Sequence, residues 1–188
     1  MTYDTEQITT PNGYKFNVEI EHDDCSGAPW GFYEVHGPVS EWTTRAKKPG
    51  ELVLCTDYPH KRYYDFQGAI KTAKLDCWGC DGLTGDETAG EKAVKAVTAD
   101  FNYLKAWCDN EWFYACLRVV MLDSDGNELE GYDEYMGDVE YGMDDYWQTV
   151  AQEMASEIER RYREDQNAAL TAELHSIKDN ALFAEGIL

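Results

Sequence analysis

The chain has 188 residues, of which 43% are hydrophobic and 13% aromatic, so it carries enough apolar surface to build a core and is not expected to be globally disordered. Its 37 acidic residues against 16 basic ones give a formal net charge of −21, which argues against direct binding to nucleic acid or to an anionic membrane. The sequence has no apolar run of about 18 residues, and its first residues have no signal-peptide pattern, so neither a membrane span nor export is expected.

The first half of the chain predicts three strands. Residues 14–21 alternate in the manner of a half-buried strand, and the apolar side of that strand consists of Tyr14, Phe16, Val18 and Ile20. Residues 30–35 and 51–55 are interpreted as two further strands. Between them, residues 43–50 carry three basic side chains and are interpreted as a solvated loop.

Two helices are predicted next. Asp65 suits the N-cap of the first, which buries Phe66, Ala69, Ile70 and Ala73. Thr88 and Glu91 have the spacing of a capping box at the start of the second helix, which is expected to end near residues 109–110. The apolar stripe of the second helix is predicted to contain Val94, Val97, Phe101, Leu104 and Cys108.

The second half predicts a hairpin followed by helices. Residues 112–122 are apolar on both faces, as in a central strand, and the turn signal at 123–127 leads to a partner strand that runs to about residue 141. A long amphipathic helix is expected at 144–163 and a weaker one at 167–180. For the weaker helix, packing on a second subunit of a homodimer is the alternative to packing on its own domain. We therefore predict an α+β fold with a mainly antiparallel sheet, helices on one face, a domain over 1–165 and a C-terminal helical appendage over 166–188.

The acidic residues are concentrated in one stretch. No basic residue occurs between Arg118 and Arg160, and tyrosines are interleaved with the acids. Carboxylates this close together repel one another, and binding to a basic partner would relieve that repulsion. The alternative interpretation is a solvated surface whose charge only supports solubility. The predicted partner-binding residues are Asp123, Asp125, Glu128, Glu130, Asp133, Glu134, Asp138, Glu140, Asp144, Asp145, Tyr132 and Tyr135.

Metal sites are the alternative hypothesis. Cys77 and Cys80 form a C-x-x-C pair, which Cys55 and His60 would complete as a zinc site, in a protein whose cysteines are otherwise expected to be reduced. Asp123, Asp125, Asn127 and Glu134 partly match a calcium loop, although Glu128 stands where such a loop needs glycine. Residues 22–24 with His36 offer a further set of metal-binding side chains. No nucleophile motif or phosphate-binding loop is present, so catalytic residues are not predicted, and no cofactor is expected unless zinc is bound.

Three segments carry a resemblance: YKFNVEIEHDD at 14–24, HGPVSEW at 36–42 and the block at 91–126 that ends in LDSDG. They resemble a group of small acidic proteins encoded by tailed bacteriophages. The resemblance implies a protein made in the cytoplasm of an infected host cell. Together with the charge, it leads to the hypothesis of a non-enzymatic inhibitor that imitates DNA. Its partner would be a basic nucleic-acid-handling host protein, such as a CRISPR effector or a restriction complex. The alternatives are a small zinc-stabilised or metal-dependent enzyme and an accessory structural protein.

Overall fold

The computed structural model describes residues 2–32, 36–78 and 87–184, and it is a mixed α+β structure with antiparallel sheets, as predicted. Its elements in chain order are β1 (Thr2–Thr9), β2 (Lys15–His22), α1 (Pro29–Phe32), β3 (Glu51–Asp57), β4 (His60–Asp65), α2 (Phe66–Leu75), α3 (Ala89–Cys108), β5 (Phe113–Leu122), β6 (Glu128–Tyr141) and α4 (Tyr146–Ala184). They form two compact units: unit 1 comprises residues 1–23 and 114–188, and unit 2 comprises residues 24–113. The predicted boundary at 165/166 falls inside α4. None of the helices in the described ranges is long and apolar enough to cross a membrane.

Unit 1 is built on a four-stranded sheet of order β1-β2-β5-β6. The register of β2 with β5 pairs Phe16 with Met121 and Val18 with Val119, and all four side chains are buried. Because alternate residues of a strand point to opposite faces, these pairs form one apolar face of the sheet. The predicted alternation at 14–21 and the predicted central strand at 112–122 are both confirmed.

The long helix α4 belongs to the same unit. It contacts β6 and buries Trp147, Val150, Met154 and Ile158, which confirms the amphipathic helix predicted at 144–163. The prediction of two separate helices is wrong, because α4 continues without interruption to Ala184. Residues 163–167 contain neither glycine nor proline, so nothing in the local sequence breaks the helix there.

Unit 2 packs α2 and α3 around the β3–β4 hairpin, with Leu54, Tyr64, Ala69, Val97 and Leu104 in its core. Both predicted helix starts are confirmed. Asp65 accepts a hydrogen bond from the Gly68 amide, and Thr88 and Glu91 form the reciprocal capping box. The predicted stripe of α3 needs one change, because Val94 is largely exposed and Ala93 is buried in its place.

A carboxylate ties one loop of unit 2 to its helix α3. Asp100 accepts hydrogen bonds from the Tyr64 hydroxyl (2.6 Å) and the Gly37 amide (2.8 Å), and its other oxygen lies 2.5 Å from His36 Nδ1. Glycine is needed at 37, since a Cβ there would lie 2.2 Å from the Tyr64 oxygen. The side chain of Asp100 is only 10% exposed, so these partners replace the water it has lost.

Three strand assignments from the sequence were wrong or missing. Residues 29–32 form the short helix α1 in place of the predicted strand at 30–35, whose last three residues lie outside the described ranges. The edge strand β1 was not predicted because its polar residues leave no clear apolar face. Strand β4 was missed because its basic start, His60 to Arg62, suggests a loop. In the structure, antiparallel hydrogen bonds to β3 hold these residues in an extended strand.

Candidate interaction surface

The negative charge of the chain is concentrated in one of its two units. Unit 1 contains 23 acidic and 6 basic residues, a formal charge of −17, whereas unit 2 contains 14 acidic and 10 basic residues, a charge of −4. Unit 1 also includes every predicted partner-binding residue. The arrangement of carboxylates in unit 1 therefore decides which of them are available to another molecule.

Arg118 neutralises part of the predicted surface. It lies at the centre of β5, directly opposite Glu19 of β2, and bonds that carboxylate at 3.1 Å. It also binds Glu128 in a bidentate manner, at 3.2 and 2.8 Å, and reaches Asp133 at 3.4 Å. The hydrogen bond from Arg118 holds the pKa of the Glu128 carboxyl below its ordinary value. Glu128 and Asp133 are thus engaged within unit 1.

A second arginine holds the first half of β6 against α4. Arg161 pairs with Glu134 at 3.2 Å and donates to the backbone carbonyls of Gly131 and Asp133 at 3.4 Å. Tyr132 is also occupied in this contact, because its hydroxyl donates to Asp165 at 3.0 Å. Among the predicted contact residues, Glu134 and Tyr132 thus have partners on α4 within unit 1.

The turn before β6 explains one more acidic residue. One carboxylate oxygen of Asp123 accepts hydrogen bonds from the amides of Asp125 and Asn127, both at 2.8 Å. The Asn127 amide hydrogen bond is the main cause that lowers the pKa of Asp123. This is the geometry of a side chain that closes a turn. With Glu134 bound to Arg161, the candidate calcium ligands serve a hairpin.

The second half of β6 and the turn that follows it have a different character. Residues 135–146, which we name the acidic edge, carry the predicted contact residues Asp138, Glu140, Asp144, Asp145 and Tyr135. Asp138, Asp144 and Asp145 are exposed, and Glu140 is partly exposed. No ion pair to a Lys or Arg of the described chain is formed by Asp144 or Asp145. Two predicted residues outside the acidic edge, Asp125 and Glu130, are likewise exposed and without such a pair.

Large exposed side chains accompany these carboxylates. Tyr135 is 66% exposed and rests on the Arg118 guanidinium at 5.9 Å. Tyr146, Met136 and Met143 are also exposed. Tyrosine and methionine are enriched in the contact regions of protein interfaces. Both methionines lie within the same basic-free stretch, but only its tyrosines were expected to supply contact area.

The zinc hypothesis loses its first ligand in this structure. Cys55 on β3 is bonded to Cys108 at the end of α3, with Cα atoms 5.7 Å apart, so the expectation of reduced thiols is wrong for this pair. Of the other proposed ligands, His60 and Cys77 are exposed, and Cys80 lies outside the described residues. Across residues 2–32, 36–78 and 87–184, no cluster of three or more His, Cys, Asp or Glu suits a metal ion.

The remaining metal hypothesis concerned residues 22–24 and His36. The Asp23 carboxylate accepts a hydrogen bond from the Asp138 amide at 3.1 Å, which fixes the backbone of β6 at a residue with a positive φ of 57°. His36 is bound to Asp100. Both side chains thus have structural partners in their own units. Comparison of the chain with protein-family models, curated proteins and solved structures finds no match, so the surface has to be interpreted from its own chemistry.

Proposed function

We propose that the protein is a non-enzymatic inhibitor or modulator that binds a basic, nucleic-acid-handling protein through the acidic edge. The observation that carries this proposal is the division of the acidic stretch: in its first half Arg118 and Arg161 pair with Glu128, Asp133 and Glu134, whereas residues 135–146 combine exposed carboxylates with exposed Tyr and Met. The charge of −17 in unit 1 would attract a basic partner over a distance of about 8–10 Å.

The class of partner follows from chemistry. A groove that binds DNA or RNA presents Lys and Arg spaced for phosphates, and carboxylates on a folded support can pair with the same cations. The exposed tyrosine and methionine side chains add apolar contact area, which charge alone does not supply. In the setting that the bacteriophage resemblance implies, the partner is a host defence complex in the cytoplasm, and the protein competes there with nucleic acid.

The test neutralises the acidic edge without changing its shape. The variant Asp138→Asn/Glu140→Gln/Asp144→Asn/Asp145→Asn removes four charges; asparagine tolerates the positive φ at 138 and preserves the hydrogen bond that Asp144 accepts from the Tyr146 amide at 2.9 Å. The matched control removes four charges from exposed carboxylates of unit 2: Glu41→Gln, Asp57→Asn, Asp76→Asn and Glu111→Gln. Both variants move the formal net charge from −21 to −17.

Immobilised wild-type protein and both variants are exposed to bacterial lysate, and captured proteins are then assayed for DNA or RNA binding. We expect wild type and control to retain a nucleic-acid-binding protein at low salt, to release it at high salt and to compete with its nucleic acid. The acidic-edge variant should lose this capture. Equal capture by both variants, or a captured protein whose nucleic-acid binding is unaffected, would contradict the proposal.

A further inference from the structure

The C-terminal part of α4 extends beyond the packed core of unit 1 and carries an apolar stripe that nothing in the described chain covers. Every residue from 163 to 178 is exposed. Leu170, Leu174 and Ile177 are 57%, 59% and 57% exposed, respectively. Their spacing of four and three residues places them on one side of the helix. Most of the stability of a helix in a protein comes from tertiary packing, which residues 163–178 lack. A partner that covers them would therefore stabilise this part of α4.

The stripe has the pattern of a coiled-coil seam. With Leu174 at position a of a heptad, Leu170 and Ile177 occupy d positions and Asn167 occupies the preceding a position. A single asparagine at an a position is a known device for fixing register between identical helices. Towards the N-terminus the seam reaches Arg163 and Arg160, which pair with carboxylates of α4 itself, so the apolar seam begins at Asn167.

The charges beside the seam favour a second copy in parallel orientation. Glu173 falls at position g and Lys178 at the following e position. They are five residues apart, so they do not face each other on one helix. In a parallel pair of helices, however, g of one chain lies beside the next e of its partner, which produces two Glu–Lys pairs. An antiparallel pair would bring like positions together and lose this complementarity.

We infer that the chain self-associates as a parallel dimer through the seam formed by Asn167, Leu170, Leu174 and Ile177. This inference is independent of the proposed function, since the seam lies outside residues 135–146. The segment also suits self-association because residues 166–178 hold one acidic and one basic residue, in a protein whose net charge is −21. Repulsion between two copies is therefore weak along this segment.

Sedimentation equilibrium of the full chain from about 10 µM to about 500 µM tests the seam. We expect a monomer–dimer equilibrium for wild type and a monomer for Leu174→Glu. The control Ala172→Glu adds the same charge on the opposite side of the helix, at position f, and should dimerise as wild type does. At concentrations where the wild type is monomeric, circular dichroism and thermal unfolding should be unchanged in both variants, because Ala172 and Leu174 are exposed.

Orientation is tested by exchanging charges. Glu173→Lys and Lys178→Glu should each weaken the dimer by about fivefold or more, because each creates two like-charge contacts, and the double exchange should restore it. Three outcomes would overturn the inference: a wild-type monomer at every concentration, association that survives Leu174→Glu, and failure of the double exchange to restore a dimer weakened by the single ones.

Discussion

At the scale of single residues, two ionic groups with little exposed surface each hold several partners: Asp100 in unit 2 and Arg118 in unit 1. Asp100 accepts hydrogen bonds from the Tyr64 hydroxyl and the Gly37 amide and contacts His36, all in unit 2. Replacing it by alanine leaves these groups without their acceptor in a site from which water is largely excluded. We expect Asp100→Ala to lower the free energy of unfolding by about 2–4 kcal/mol in urea titrations. Asp57→Ala, at an exposed site of β3, should change it by less than about 0.5 kcal/mol.

The same carboxylate sets a pH dependence. Burial raises the pKa of Asp100, but the hydrogen bonds from His36, Tyr64 and Gly37 outweigh it and hold the pKa below its ordinary value. The unfolded chain therefore binds the proton first, so the contribution of Asp100 is complete above about pH 4 and is lost as the pH falls through the lowered value. The difference in stability between wild type and Asp100→Ala should shrink below about pH 4; a constant difference would contradict this account.

Arg118 is the second such group, and its removal would leave three carboxylates together. We expect Arg118→Met to destabilise unit 1 by about 2 kcal/mol at low salt, because Glu19, Glu128 and Asp133 then repel one another. High salt should recover part of that loss by screening, whereas Arg118→Lys, which keeps the charge but not the bidentate contact, should lose less. Urea unfolding at low and high salt measures the two effects. If the loss of unfolding free energy in Arg118→Met is the same at both salt concentrations, like-charge repulsion is not its cause.

At the scale of elements, local signals predicted most of the structure. Some features depend only on hydrogen bonds to groups a few residues away in the chain, and the sequence suffices to identify them. They are the helix caps at Asp65 and Thr88 and the turn at 123–127. The strands β1 and β4 depend instead on pairing with the neighbouring strands β2 and β3, and neither has an apolar face that periodicity detects. Residues 30–35 illustrate the converse error, since Pro29 followed by aromatic residues begins the short helix α1.

The bond between Cys55 and Cys108 joins β3 to the last residue of α3 and encloses a chain separation of 53 residues. Closing a loop of this length restricts the unfolded chain, so reduction should lower the stability of unit 2 by about 2–4 kcal/mol. Thermal unfolding with and without reductant measures the change. The variant Cys25→Ser/Cys77→Ser/Cys116→Ser keeps the bond and should respond to reductant as wild type does. Titration of Cys55 and Cys108 as free thiols in unreduced, denatured protein would contradict the pairing.

At the scale of the whole molecule, the sequence predicted where charge is dense but not where it is available. A run of acids without nearby bases is visible from the order of residues alone. The partners of that run are not: Arg118 precedes Glu128 by ten residues, but its bond to Glu19 spans 99 residues, and Arg161 reaches Glu134 across 27. Folding thereby pairs Glu128, Asp133 and Glu134 within unit 1, whereas Asp125, Glu130 and the carboxylates Asp138, Asp144 and Asp145 of the acidic edge are exposed. Met136 and Met143 belong to the acidic edge as well, because the fold leaves both side chains exposed.

The central claim is that the carboxylates of the acidic edge attract a cationic surface of another macromolecule. It is tested most directly by the association rate constant of the captured partner, measured between about 50 mM and about 500 mM salt for wild type, the four-amide variant of the acidic edge and its control in unit 2. We expect the rate to fall steeply with salt for wild type and control, and to be slower and less dependent on salt for the acidic-edge variant. Identical rates and salt slopes for all three proteins would contradict the claim.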